Sequence, residues 1–340
     1  MAGKFRFTLL LILHLEEANG LDVVRLACAA MATRWEILLY GDGEGFLRSV
    51  AEEALDEVRR LESQLSLFVP TSETSDVNRR AAAGPVVVDP RFFRLLRFAV
   101  SLSEETDGAF DITVAPLMRA WRFEGDTGAL PSDEAILEAL NSVGYQHILL
   151  DDNNTTVQFD MPGLQIDLGA IGKGYAIDCA VEIVRDHGIS SGILHAGTST
   201  AFGMGCPPDT EGWLVAVRLP DGEGAKENTE FLLNDGALSV SAPHGKYFEK
   251  DGVQYGHVID PRTGRAVSAN LLAAVATQSA AESDALSTAL LTNGPEWLSE
   301  LSRLRPEVSA YAAVRRDGQV YAKRLISEYD SVRPINPDYS

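Results

Sequence analysis

The sequence has few cysteines, few basic residues and no long hydrophobic run. Its 340 residues include three cysteines, Cys28, Cys179 and Cys206, which lie far apart and form no CxxC or Cys/His spacing. This pattern argues against a disulfide framework and a zinc site. Lys and Arg number 29 against 49 Asp and Glu, so the formal net charge is −20. Because such a surface repels phosphate backbones, we expect no nucleic-acid partner, although a metal ion or a local lysine would still allow one phosphorylated ligand.

The N-terminus contains a short apolar run, Phe7 to Leu13, preceded by Lys4 and Arg6. It resembles the core of a signal peptide, but no small-x-small cleavage site follows. The run is much too short to cross a bilayer, and we expect no transmembrane span anywhere in the chain. Residues 1–22 are therefore expected to be a leader or a disordered tail, and cytoplasmic and periplasmic locations both stay open.

The composition, 45% hydrophobic and 23% charged, is that of a globular protein. Hydrophobic periodicity predicts helices at 46–61, 92–102, 173–187, 279–292 and 295–303, and another from Pro131-Ser132 to Gly144. Strands are predicted at 23–40, 86–88, 147–150, 155–159, 164–168 and 192–196, and several across 213–277. Two final strands are predicted within 308–324. Residues 71–78 are expected to form a polar loop. Because no regular βαβ alternation appears, the predicted class is α+β, with one domain at 23–328 and a tail at 329–340.

Two glycine-containing segments carry residue types that packing alone does not require. In Gly108 to Leu117, Asp111 either borders a ligand or caps a loop, and this segment alone favours the cap. In Asp167 to Asp178, an apolar strand is followed by closely spaced glycines and then by Lys173 at a helix start. This arrangement favours a phosphate-binding site slightly over a tight turn with only a structural role. It is not a Walker A loop, because Gly174 follows the lysine where Ser or Thr is required.

Three further segments contain candidate groups. Leu194 to Gly203 is a strand that ends in small and hydroxyl residues. Alone it is weak evidence for a functional site and more often indicates a turn. In His257 to Gly264, a type I turn explains Asp260 to Gly264 and leaves His257 as a candidate base, although a lone strand histidine is more often structural. In Ser279 to Leu290, Asp284, Ser287 and Thr288 share one helix face. That all-oxygen set suits a hard cation such as Mg²⁺, and equally a capped helix with polar residues toward water.

Taken in order, these segments resemble the ApbE family, the FAD:protein FMN transferases. The resemblance extends from about Met31 to Leu325. It rests on the following segments as they stand in this sequence: Met31-Ala-Thr33, Ser72 to Asn78, GAFDITVAPL, DLGAIGKGYAID, HVIDPRTG and the helix with Asp284 and Thr288.

The resemblance implies an α+β fold of two similar halves with FAD bound between them. It also implies an Mg²⁺-dependent enzyme that splits the FAD pyrophosphate, attaches FMN to a Ser or Thr of an acceptor protein, expected to be a redox subunit, and releases AMP. The metal would be held by Asp284, Thr288 and the carbonyl of Ala170, with Ser287 assisting. His257 would deprotonate the acceptor, and Lys173 would offset phosphate charge. The FAD site would be lined by Met31, Ala109, Phe110, Asp111, Asp167, Lys173 and Val258.

The sequence departs from the family pattern at several positions. Ala32 replaces the Gly of MGT, Thr198 replaces the second Gly of a GG pair with His195 unusual just before it, and Val240-Ser-Ala242 replaces Thr-Ser-Gly. Added side chains there would narrow the cofactor or acceptor cleft, so FAD hydrolysis to FMN and AMP, or FAD binding without catalysis, are the alternatives. Members of this family often carry a lipoprotein signal, but Cys28 follows Arg25-Leu-Ala, a poor lipobox, and lies in a predicted strand, which argues against an envelope location.

Overall fold

The computed structural model describes residues 9–11, 20–124, 128–219, 229–243, 245–327 and 332–335. Its helices are α1 Glu44–Leu65, α2 Glu73–Arg80, α3 Pro90–Glu105, α4 Ala115–Ala120, α5 Asp133–Leu140, α6 Gly172–Asp186, α7 Ala280–Asn293 and α8 Leu298–Leu304, with single 3-10 turns at Tyr145–His147 and Pro295–Trp297. Its strands are β1 Leu9–Leu11, β2 Asp22–Ala30, β3 Thr33–Gly41, β4 Val86–Val87, β5 Ile148–Asp151, β6 Thr156–Phe159, β7 Ser191–Ala196, β8 Thr200–Met204, β9 Trp213–Val217, β10 Thr229–Leu233, β11 Gly236–Ser241, β12 Tyr247–Lys250, β13 Val253–Gly256, β14 Asn270–Thr277, β15 Ser309–Arg316, β16 Gln319–Leu325 and β17 Val332–Ile335. The mixed helix and sheet confirm the predicted α+β class.

A large antiparallel sheet forms the centre of the fold. Its eight strands run in the order β16-β15-β14-β11-β8-β7-β3-β2. Successive residues of a strand point to opposite faces, so each strand supplies two cores. On one face, Trp35, Ile37 and Leu39 of β3 pack with the helices. On the other, Leu38 and Tyr40 pack against side chains of β9 and β10, which belong to the four-stranded sheet β1-β9-β10-β17.

Most predicted elements are present, and the turn in the His257 segment is confirmed. The helix start at 131–132 is confirmed by Ser132, whose hydroxyl accepts from Ala135 N, but α5 ends at Leu140, before Gly144. Asp260 O accepts from Thr263 N at 3.3 Å, the bond that closes a four-residue turn, and also from Gly264 N at 2.8 Å. All three cysteines are free thiols, and burial raises the pKa of Cys179 to about 11. Among the described residues no helix has the length and apolar character needed to cross a membrane.

Three predictions of local structure were wrong. Residues 23–40 form two strands, β2 and β3, joined by a reversal at Met31-Ala32. Residues 73–80 form helix α2, because the Ser72 hydroxyl caps it by accepting from Ser75 N at 3.0 Å. Residues 164–168 form no strand and join no sheet. The Asn78 side-chain amide instead bonds both the backbone N and the backbone O of Ile166.

Two short strands lie in the segments expected to be tails. β1 pairs with β9, and β17 pairs with β10, both antiparallel. Of the signal-like run at 7–13, only Leu9–Leu11 belongs to the described residues. The proposed boundaries at 22 and 329 stay predictions.

Candidate functional site

The candidate site lies where the first turns of α6 and α7 meet. Gly174 of α6 permits this approach, since a Cβ at that position would lie 2.1 Å from the carbonyl oxygen of Ala280. Gly174 N donates to Asp284 Oδ2 at 3.2 Å, a bond that joins the two helices directly. Glycine is therefore required at 174 by close packing, and this packing brings the predicted lysine and carboxylate together.

Lys173 and Asp284 form the charged pair of the site. Lys173 Nζ lies 3.7 Å from Asp284 Oδ2 and donates to Gly169 O at 3.1 Å. The Asp284 side chain is 6% exposed and that of Lys173 is 23% exposed. A nearly buried carboxylate needs a compensating positive charge, and the partly exposed ammonium supplies it while still reaching solvent.

Hydroxyl groups surround the backbone of Asp284. Ser287 Oγ and Thr288 Oγ1 donate to Asp284 O, at 2.9 and 3.2 Å. Ser241, at the end of β11, places its hydroxyl 2.8 Å from Ser287 Oγ and 3.2 Å from Thr288 Oγ1. Ser287 is fully buried, whereas Thr288 is half-buried. The structure thus brings Asp284, Ser287 and Thr288 together, as the helix spacing predicted.

The donor set fits a hard cation. Ala170 precedes α6, and because Gly174 N turns to Asp284, no backbone N–H of the described residues donates to the Ala170 carbonyl. A carboxylate, a hydroxyl and this carbonyl are the oxygen ligands that Mg²⁺ prefers. Within the part of the chain that the structure describes, no group of three His, Cys, Asp or Glu forms a metal site, and the set predicted here uses only one carboxylate.

Asp178 is a further residue of this contact, and its role was not predicted. It lies one turn beyond Gly174 on α6 and caps the start of α7. Its carboxylate accepts from Ala280 N at 2.7 Å, Ala281 N at 2.9 Å and Ser279 Oγ at 2.8 Å. The i,i+4 spacing of Gly174 and Asp178 in the sequence was the available signal, because it places both on one helix face.

Asp111 has the capping role that its own segment favoured. Oδ1 accepts from Thr113 N at 2.8 Å and Thr113 Oγ1 at 2.7 Å, and Oδ2 accepts from Tyr145 N at 3.0 Å. Burial raises the pKa of Asp111, against the lowering effect of these bonds. Its neighbours Ala109 and Phe110 are buried. The carboxylate therefore organises the loop, and a role in binding FAD stays a prediction.

Asp167 is held near the charged pair. Its backbone N donates to Ile112 O at 2.7 Å, which ties the Asp111 segment to the start of the glycine-rich segment. Oδ1 accepts from Gly169 N at 2.8 Å. Desolvation raises the pKa of Asp167, while the Gly169 bond and the charge of Lys173 lower it. Asp167 is therefore a predicted FAD residue that lies close enough to Lys173 for the two charges to interact.

Met31 and Val258 lie at the edge of the main core. Both are half-buried and pack against the same cluster as Ala170. Met31 N donates to Glu62 Oε1 of α1 at 2.7 Å. Met31 and Ala32 have φ values of 47° and 57°, so both are left-handed. The Ala32 departure therefore falls at a reversal where a side chain strains the backbone.

His257 follows β13 and is anchored by the backbone of Lys246. Nδ1 lies 3.2 Å from Lys246 O and 3.3 Å from Lys246 N, so either tautomer finds a partner there. Burial lowers the pKa of His257, and the nearby positive charge of Lys173 lowers it further. The ring is thus neutral at physiological pH, as a base requires.

His195 and Thr198, which depart from the family pattern, lie in a polar region separate from Lys173 and Asp284. His195 Nε2 lies 3.5 Å from Glu36 Oε2, and burial lowers the pKa of His195. Thr198 in the following turn is exposed. No hydrogen bond or ion pair among the described residues joins this cluster to Lys173 or Asp284.

A cavity of about 360 Å³ opens beside the segment that carries Asp167. Its lining residues are Leu67, Phe68, Pro70, Ser75, Asn78, Arg79, Arg119, Glu124 and Gln165. Phe68 is 66% exposed, which is unusual for so large an apolar side chain. No local sequence pattern singles out Phe68, because the exposure of a side chain depends on tertiary structure.

Comparison with known proteins places these features in a family. The model of the ApbE family matches residues 31–312. The FAD:protein FMN transferase of Vibrio cholerae serotype O1 is 29% identical over 253 residues, which cover 74% of each chain. That of Escherichia coli K12 is 27% identical over 324 residues, covering 93% of this chain and 90% of that protein.

Solved structures agree with the sequence relatives. The ApbE protein of Thermotoga maritima superimposes with a TM-score of 0.80 at 30% identity, covering 90% of this chain and 97% of that one. The flavinyl transferase ApbE of Pseudomonas stutzeri, in its apo form, gives a TM-score of 0.79 at 26% identity over 91% of this chain and 95% of that one. The similarity extends over most of both chains.

Proposed function

The chain belongs to the ApbE family, and from that premise we propose that it is an Mg²⁺-dependent FAD:protein FMN transferase. In this reaction a Ser or Thr hydroxyl of an acceptor protein attacks the FMN phosphorus of FAD. The new bond joins the acceptor oxygen to that phosphorus, the bond to the bridging oxygen breaks, and AMP leaves. One proton is released from the hydroxyl.

The observation that carries the proposal is the Lys173–Asp284 pair with hydroxyls on the same helix face. The nucleotide's two phosphates are anionic, and the protein's formal charge is −20, so binding needs local positive charge. Lys173 is the cation of this contact and is 23% exposed, which leaves its ammonium accessible to a phosphate. Preorganised charge of this kind stabilises the charge that develops in the transition state.

Asp284, Thr288 and the carbonyl of Ala170 would hold Mg²⁺, with Ser287 beside them. When bound, the ion would supply Lewis-acid stabilisation of phosphate charge. Lys173 would then share Asp284 with the ion and turn its own charge toward the phosphates. The side chains and backbone of the protein would bind and orient FAD and transfer the proton.

His257 would take the proton of the acceptor hydroxyl. A hydroxyl is a weak nucleophile until a nearby base removes its proton. With Nδ1 held by the Lys246 backbone, Nε2 is the nitrogen available to the acceptor. In the tautomer whose Nδ1 donates its proton to Lys246 O, Nε2 is unprotonated, and the lowered pKa keeps the ring neutral at neutral pH.

The test is incubation of the protein with FAD and Mg²⁺, with and without a peptide that carries a flavinylation motif. Nucleotides are followed by chromatography and the peptide by mass. AMP release together with an FMN-sized mass gain on the peptide is the expected result. AMP and free FMN with unmodified peptide would instead indicate a hydrolase, and tight FAD binding without AMP would indicate a binding protein.

A further inference from the structure

The Ser241 hydroxyl, at the end of β11, forms hydrogen bonds with α7, the helix that carries Asp284 and Thr288. Ser241 is separate in the sequence from the residues predicted to bind the ion, and it contacts two of them, Ser287 at 2.8 Å and Thr288 at 3.2 Å. We propose that Ser241 is a positioning residue that fixes the Thr288 hydroxyl for cation binding. This inference rests on the proposed function.

The protons and lone pairs of the three hydroxyls limit which hydrogen bonds can form. A hydroxyl has one proton to donate and two lone pairs that accept. Ser287 Oγ has one proton and two acceptors within reach, Asp284 O at 2.9 Å and Ser241 Oγ at 2.8 Å. In the order that we propose, Ser287 donates to Ser241 instead of to Asp284 O, Ser241 donates to Thr288, and Thr288 donates to Asp284 O. In that order Thr288 Oγ1 has used its proton and one lone pair, and one lone pair remains for a cation.

Without Ser241, the Thr288 hydroxyl would lose this constraint. A threonine on a helix can rotate its hydroxyl between the i−4 carbonyl and other partners. Groups that orient a ligand without touching the metal typically account for a tenfold or larger share of its affinity. Ser287, which is fully buried, would then help to orient Thr288 through the Ser287–Ser241–Thr288 hydrogen bonds, in addition to any role as a metal ligand.

Strand β11 provides a matched control. Ser239 and Ser241 are two residues apart and therefore face the same side of the sheet. Ser239 is buried, whereas Ser241 is half-buried, and the Ser239 hydroxyl donates to Thr200 Oγ1 at 3.2 Å and not to α7. A Ser→Ala substitution at either position removes one hydroxyl from the same face of β11. Only the substitution at Ser241 removes a contact with Thr288.

The experiment measures Mn²⁺ binding to the FAD-loaded protein by the EPR signal of free Mn²⁺, because Mn²⁺ accepts the same oxygen ligands as Mg²⁺. Ser241→Ala should weaken Mn²⁺ binding by about tenfold or more. Ser239→Ala should leave the affinity unchanged, and Ser241→Thr, which retains a hydroxyl, should restore most of it. Thermal unfolding of each variant establishes that the proteins are folded.

Each outcome has a definite meaning. Unchanged Mn²⁺ affinity in Ser241→Ala, or equal losses in Ser239→Ala and Ser241→Ala, would overturn the positioning role. In transfer assays, excess Mg²⁺ should recover the rate of Ser241→Ala, so that KM for the metal rises while kcat is retained. If the wild type binds Mn²⁺ and Ser241→Ala weakens it but no FMN is transferred, the inference holds and the proposed function fails. If the wild type binds no Mn²⁺, both fail.

Discussion

Lys173 Nζ lies 3.7 Å from Asp284 Oδ2, across the contact between α6 and α7. The two residues are far apart in the sequence and lie on different helices. Their proximity depends on Gly174, which lets the helices touch, and on Asp178, which caps α7. The charge pair is therefore a property of helix packing as much as of the two residues.

Replacing Asp284 with Asn should remove metal-dependent turnover. The amide has nearly the same shape but no charge, so Lys173 would lose its charged partner and the cation would lose its carboxylate ligand. We expect the rate of AMP release to fall by about 10²–10³-fold, the scale seen when a preorganised charged group is removed. Asp186→Asn, an exposed change on α6, is the control and should retain activity. Full activity in Asp284→Asn would contradict the metal assignment.

Replacing Gly174 with Ala should force the two helices apart. The new Cβ would lie 2.1 Å from Ala280 O, a backbone atom that cannot rotate away. We expect a loss of about 1–3 kcal/mol in unfolding free energy, measured with urea, as for other overpacked sites.

Gly172→Ala is the matched control on the same helix. There the nearest atom to a new Cβ is Leu65 Cδ1 at 3.9 Å, an ordinary contact. Gly172→Ala should leave stability unchanged or raise it slightly, since Ala favours helix more than Gly. A similar loss in both variants would show that the cost comes from the backbone and not from the helix contact.

The parts of the site that could be predicted from sequence are those set by local periodicity. The shared face of Asp284 and Thr288 follows from helix spacing, and Lys173 follows the glycines at a helix start. The caps could not be assigned in the same way: Ser72 starts a short polar helix, and Asp178 bonds a helix 101–103 residues away. The link between Ser241 and Thr288 depends on how β11 meets α7, which no local pattern encodes.

Replacing Ala32 with Gly should stabilise the protein. Ala32 has φ 57°, where a Cβ costs roughly 1–2 kcal/mol, while Gly loses more chain entropy on folding, by roughly 0.5–1 kcal/mol. The expected net gain is about 0.5–1 kcal/mol in unfolding free energy. Ala29→Gly, at an exposed position of β2, should lower stability instead, because it has only the entropic cost. A loss in Ala32→Gly would mean that the reversal is not strained.

The pH dependence of transfer should report His257. Burial, with help from Lys173, lowers the pKa of His257 below the ordinary value of 6.5. A base must be unprotonated, so the transfer rate should fall on the acidic side, and the midpoint of that decline should lie below pH 6.5. His257→Ala should retain FAD binding, measured by flavin fluorescence, but slow transfer by about 10²–10⁴-fold and abolish that acidic decline. His187→Ala, an exposed histidine paired with Glu53, should keep both the rate and the profile of the wild type. If the decline persisted in His257→Ala, another group would be the one whose protonation limits the reaction.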